Sequence, residues 1–208
     1  MEKYVINIGR QLGSGGKQIA EQLAKTLKIK CYDKRLLDMA AKESGFAKEL
    51  FEQNDENKSL MDTFMHMRFI FGNIGETIYD NVLSAESLFQ FQSNAIRKCA
   101  EKESCIFLGR CADYILRDHP RAVNIFIAAD EDERIQHVSE REGVDLETAK
   151  KILKKKENTR SNYYNYYTNK NWGAASSYDL CINISKLGYD KSFEFILDFV
   201  KKYLKIED

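Results

Sequence analysis

Three observations place this chain in the α/β class, as a three-layer α/β/α arrangement around a five-stranded parallel sheet. Compact apolar runs of strand length alternate with amphipathic helical periods. A glycine-rich turn joins the first predicted strand to the first predicted helix. Hydrophobic residues make up 43% of the 208 and a single residue is proline, which suits one sizeable ordered core.

The elements follow in chain order. "KYVINI" alternates and is rich in β-branched residues, as a strand should be. The turn "GRQLGSGGKQIA" covers residues 9–20, and Ile19, Ala20, Leu23, Ala24 and Leu27 then recur at helical spacing. A short second strand, "IKCY", leads to Asp33. Residues 35–102 read as mostly helical and are too long for a simple crossover, so a helical insert is expected beside a core of about 1–34 and 103–208. Within it, the Met/Phe stripe from Leu60 to Phe71 reads as core or as a contact in a homo-oligomer. "SCIFLG" and "AVNIFIAA" are the third and fourth strands, separated by the helical stretch "CADYILRDH". Asp130 with Glu133 has the spacing of a capping box for the helix "EDERIQHVSERE", which Gly143 ends. A further helix is predicted from about Leu146 to about Lys156, then the strand "YDLCINI" and the closing helix "DKSFEFILDFVKKYL".

Composition excludes several classes of function. Lys+Arg and Asp+Glu number 32 each, so net charge offers no attraction to nucleic acid or an anionic membrane. There is no cationic-then-apolar leader and no apolar run of membrane-spanning length. The five cysteines are scattered without CxxC pairs, as free thiols in a reducing cytoplasm would be, and the three histidines lie too far apart in sequence for a metal cluster. Local basic clusters remain possible, and a small phosphorylated partner needs only those.

The chemistry concentrates at one rim. In parallel sheets ligands bind beyond the C-terminal ends of the strands, which groups Gly9–Lys17, Asp33, Gly109–Arg110 and the start of the 130s helix. A phosphate loop needs glycines so that amides can curl around the anion, a helix start behind it, and a cation. Gly13, Ser14, Gly15, Gly16 and Lys17 meet those demands, and Gln18 stands where a magnesium-binding hydroxyl would follow the lysine. The alternative is a glycine turn that only connects strand to helix. Asp33 could hold magnesium through water, accept a proton, or cap the next helix. Arg110 can fork onto phosphate or carboxylate oxygens, and Asp113 lies near a helix start. The stretch "KKKENTRSNYYNYYTNKNWG" interleaves Lys156 and Arg160 with tyrosines and Trp172, as a lid over phosphates or a packed aromatic loop would. Arg134 and Arg141, seven apart, read as solvated helix arginines.

Taken together, "NIGRQLGSGGKQIAEQLAKTL", "YDKRLLDMAA", "IFLGRCADYIL", "FIAADEDERI" and "NYYNYYTNKNWGAASSYDLCINISKLG" resemble the cytidylate kinase-like family of P-loop proteins. The resemblance runs in order through nearly the whole chain. It implies a P-loop NTPase-type fold, an acceptor-side insert at about 35–102 and a lid at about 155–173. It further implies a kinase using ATP and Mg2+, with Lys17 on the ATP phosphates, Arg110 on the acceptor's phosphate and Arg160 as a lid arginine. Cytidylate kinases carry Asp after the Gly-Arg, where this chain has Cys111, and D-T-G-x-x-Y-R after the second strand, of which only Asp33 is matched. The expected activity is therefore transfer of ATP's γ-phosphoryl group to a small anionic acceptor, with CMP one candidate. A kinase of a non-nucleotide small molecule and a non-catalytic nucleotide-binding regulator are the alternatives.

Overall fold

The computed structural model describes residues 2–33 and 85–206. The Met/Phe stripe, His66, the helix predicted after Asp33 and most of the expected insert lie outside them. The chain divides into two compact units, one of Met1–Lys34 with Ala100–Asp208 and one of Arg35–Cys99. Of the second unit the described part is helix α2, Ala85–Lys102, whose last turn belongs to the first.

Among the described residues the first unit holds a five-stranded, all-parallel sheet in the order β2-β3-β1-β4-β5. The strands are β1 (Val5–Arg10), β2 (Lys30–Tyr32), β3 (Cys105–Leu108), β4 (Ala122–Ala128) and β5 (Leu180–Asn183). Strand β1 is central, with Val5 opposite Cys105 on one side and Ala122 on the other. The chain leaves β1 toward β2 on one side and later adds β4 and β5 on the other, so a ligand crevice is expected at the C-terminal end of β1.

One sheet face is aliphatic. Ile6, Ile8, Ile106, Leu108, Ile125 and Ile127 pack against Ile19 and Leu23 of α1 (Gly16–Leu27) and Ile196 and Val200 of α6 (Tyr189–Leu204). Burial on both faces explains why β3 reads as an unbroken apolar run. The opposite face carries Asn7, Phe107, Asn124 and Phe126. Asn7 donates from Nδ2 to Asn124 Oδ1 at 2.8 Å across the β1–β4 register.

Three sequence expectations are corrected. The stretch after β3 forms only one helical turn, α3 (Ala112–Ile115), followed by a turn in which Arg117 and Asp118 are exposed, and Pro120 keeps His119 out of a helix. The 130s helix, α4 (Glu131–Glu142), starts and ends where predicted, with Gly143 left-handed at φ 67°. No capping box forms, however. Asp130 accepts from Asn183 Nδ2 at 2.7 Å and Lys186 at 3.0 Å, and Glu133 accepts from the Ser185 hydroxyl at 2.6 Å, tying α4 to the turn after β5. The third correction is α5, which runs unbroken from Leu146 to Thr168 instead of stopping near Lys156. Its second half is rich in Asn, Tyr, Ser and Thr, poor helix formers, and is held by tertiary contacts along one face.

Candidate functional site

The glycine loop curls as its composition predicts. Gly13 and Gly15 have φ of 78° and 73°, while Gln11, two residues before Gly13, keeps negative φ. Gln11 donates its amide to the Ile127 carbonyl at 3.0 Å and accepts from the Ala129 amide through Oε1 at 3.2 Å. Side chains are excluded at two points. A Cβ on Gly13 would lie 2.6 Å from the Arg134 carbonyl oxygen, and one on Gly16 would lie 2.6 Å from Arg10 Cβ. Among the described residues no amide from Gly13 to Gln18 donates to another loop's carbonyl, and the first turn of α1 adds its unpaired amides. The turn lines a cleft of about 910 Å³.

The loop's side chains divide in two. Ser14 is buried and its hydroxyl donates to the Gln11 and Ile127 carbonyls at 3.0 and 3.1 Å, so it braces the loop from behind. Lys17 is 59% exposed, faces the cleft and lies 3.6 Å from Glu21, a weak pair that leaves it available to an anion. Gln18 lines the same cleft, and so do Arg141 and His137, whose Nδ1 lies 2.8 Å from the Gly13 carbonyl oxygen.

Arg134 departs from expectation. Far from being solvated, it is buried: Nε donates to the Ala129 carbonyl at 2.9 Å and Nη1 to Glu157 Oε1 at 2.7 Å. The same Glu157 oxygen accepts the Leu12 amide at 3.2 Å, so α5 grips the phosphate loop directly. Nothing in a seven-residue spacing reveals this, because the partner lies on another helix.

A second cavity, of about 490 Å³, opens beside the first, and the two share Arg10 and Arg160. Arg110 is presented to it by an uncommon backbone: Gly109, Arg110 and Cys111 have successive φ of 78°, 60° and 57°. Left-handed geometry costs each non-glycine residue here about 1 kcal/mol or more, a cost often found where a site aims a side chain. The Arg110 guanidinium lies 5.7 Å from the Tyr163 ring centroid. Asp113 also lines this cavity. Burial raises its pKa above the ordinary carboxylate range, opposed by the Tyr164 hydroxyl, which donates to its Oδ2 at 2.6 Å. Tyr164→Phe is expected to cost about 1 kcal/mol of stability and to push Asp113 further up, measurable by thermal unfolding and by NMR titration of the carboxyl.

The aromatic stretch supplies the cavity wall. Trp172 meets Phe126 edge-on at 5.3 Å, Phe126 meets Tyr178 at 5.0 Å, and Gly173 at φ 77° passes close enough that a Cβ would lie 3.1 Å from the Phe126 ring. Thr168 closes α5 by donating to the Tyr164 carbonyl at 2.7 Å. The segment expected as a lid is thus the end of α5 and a packed aromatic turn. Lys156 and Arg160 face the cavity from that helix, and Arg160 donates from Nη1 to the Arg10 carbonyl at 3.2 Å.

Cys111, where an acidic residue was expected by resemblance, is buried, and burial pushes its thiol up to about 12. Cys31 is raised to about 11, again mainly by burial. Both are neutral thiols near pH 7, so neither is an activated nucleophile. Asp33 follows β2 at the same end of the sheet, and its charge acts on Arg10. Arg10 itself went unassigned in the sequence. A charged residue ending a buried central strand was the signal that could have found it.

Comparisons with known proteins give the family and the fold. The model of the cytidylate kinase-like family matches residues 5–186. A cytidylate kinase from Methanopyrus kandleri is 24% identical over 98% of this chain and 96% of its own length. The crystal structure of an uncharacterized protein from Eubacterium ventriosum is 32% identical, with a TM-score of 0.69 over 99% of this chain and 100% of that one. A shikimate kinase from Bacteroides thetaiotaomicron, 12% identical with a TM-score of 0.51 over 98% of this chain and 99% of its own, shares the fold.

Proposed function

Because the chain belongs to the cytidylate kinase-like family, we propose that it is a nucleotide kinase-like phosphotransferase that moves the terminal phosphoryl group of ATP to a small anionic acceptor. One observation carries this reading: a glycine-cradled cleft and an arginine-rimmed, aromatic-walled cavity meet at a shared pair, Arg10 and Arg160. Donor and acceptor phosphates brought together there would be screened by positive charge, which is most of what phosphoryl transfer requires.

The roles follow from position. Main-chain amides from Gly13 to Gln18 and the Lys17 ammonium hold the β- and γ-phosphates. Arg160 neutralises charge that develops during transfer. Arg110 anchors the acceptor's anionic group, and Asp113 accepts a hydrogen bond from its remainder, offering near Cys111 the carboxylate that Cys111 does not supply. Asp33 helps place the acceptor or Mg2+. Among the described residues no group of three or more His, Cys, Asp or Glu side chains could hold a metal, and the Ser14 hydroxyl is engaged elsewhere. A magnesium ion would accordingly rest on phosphate oxygens and water, with Asp33 as the carboxylate on the rim. When bound it withdraws charge from the leaving diphosphate.

The test is a phosphorylation assay with ATP and Mg2+ across nucleoside monophosphates, CMP first, and other anionic metabolites. Lys17→Ala should lower turnover by about a hundredfold and shift the melting temperature by no more than about 2 °C, since the side chain is largely exposed. Undiminished activity in that variant would refute the assignment. Binding of ATP without turnover on any acceptor would support a regulatory nucleotide-binding protein instead.

A further inference from the structure

We infer that Arg10 is a third phosphoryl-clamping residue, one that holds the transferred group itself where the donor cleft opens into the acceptor cavity. The inference rests on the phosphotransferase reading above and adds to it a residue and a contact. Arg10 ends the central strand β1 and lines both cavities, as only Arg160 also does among the described residues. Its path is cleared by glycines on either side. A Cβ on Gly16 would lie 2.6 Å from Arg10 Cβ, and one on Gly109 would lie 2.5 Å from Arg10 Nη1. The phosphate loop and the turn after β3 therefore both leave out side chains where this guanidinium passes.

The electrostatics point the same way. Among the described residues the Arg10 guanidinium has no ion-pair or hydrogen-bond partner, although the salt bridges and side-chain bonds around it are numerous. Its neighbours Arg160 and Arg110 are of like charge, and burial with that repulsion lowers its pKa to about 9, leaving it protonated at neutral pH. Asp33 near Arg10 and Glu157 near Arg160 offset this only in part, so the three gathered guanidinium groups favour an arriving anion. A terminal phosphoryl group supplies that anion. In the transfer, the bond from the terminal phosphorus to the oxygen bridging to the diphosphate breaks and its electron pair leaves with the diphosphate. A new bond forms from an acceptor oxygen to phosphorus, and any proton on that oxygen passes to solvent. Arg10 exchanges no proton; it donates two N–H groups to the moving phosphoryl oxygens throughout.

The experiment compares ADP with the β,γ-imido analogue of ATP, by calorimetry with Mg2+, in the parent protein, Arg10→Met and Arg10→Lys. Parent protein should bind the analogue more tightly than ADP. Arg10→Met should weaken the analogue by about tenfold or more while leaving ADP within about threefold, the loss of a charge-assisted contact to the terminal group alone. Arg10→Lys, which keeps the charge and loses the fork, should fall between. It carries the same test if the methionine variant does not fold. An unchanged ratio of the two affinities, or equal weakening of both nucleotides, overturns the role of Arg10 while leaving the phosphotransferase reading intact. A parent protein that binds neither nucleotide overturns both.

Discussion

Arg160→Met is expected to slow phosphoryl transfer by about a thousandfold or more, the scale on which a single transition-state arginine acts. The folded state should hardly register the change. Burial lowers the pKa of Arg160, and Arg110 and Arg141 lower it further against the favourable charge of Glu157, so the group sits in surroundings that do not favour its charge. Its hydrogen bond to the Arg10 carbonyl, at 3.2 Å, is of ordinary strength. Rapid-quench turnover with whichever acceptor the panel identifies, beside a thermal melt, checks both halves. Turnover within about threefold of the parent would remove Arg160 from the chemistry.

Glu157→Ala is expected to lower stability by about 3 kcal/mol, a fall of roughly 6–12 °C in melting temperature for a chain of this size. The carboxylate is the acceptor for Arg134 Nη1 at 2.7 Å and for the Leu12 amide at 3.2 Å, and the two side chains are only 17% and 7% exposed. Its removal strands a buried guanidinium and an amide of the phosphate loop together. Pairing the change with Arg134→Met should recover most of the loss, because the stranded charge is then gone. Nucleotide affinity should remain weakened in the double variant, since Leu12 still lacks its acceptor. Recovery of both, or of neither, would contradict this division of roles.

Much of the scaffold was legible because it rests on local pattern. The strands are apolar runs bounded by turns, and α4 ends at the glycine that its sequence places there. The positive φ of Gly13 and Gly15 follows from residue type. The length of α5 was not legible, since the sequence after Lys156 has weak helix propensity and is held by Glu157, Arg160 and Tyr164 reaching Leu12, Arg10 and Asp113, all distant in sequence. The capping-box spacing at Asp130 and Glu133 was genuine, but both carboxylates found stronger partners in the turn after β5. Burial of Arg134 depends on a carboxylate 23 residues away on a different helix. The tyrosine cluster showed its aromatic character in sequence, while its division between Arg110, Asp113 and Phe126 is a matter of three-dimensional neighbours.

The single rod of α5 makes it a ruler. Glu157, Arg160 and Tyr164 occupy successive turns, about 10 Å from first to last by helical rise, and each addresses a different station: the loop, the junction and the cavity wall. Side chains at the positions between them can change without moving these stations. The residue count of α5 between 157 and 164 cannot, because one insertion would swing everything beyond it by about 100° and leave both ends of the gauge misread.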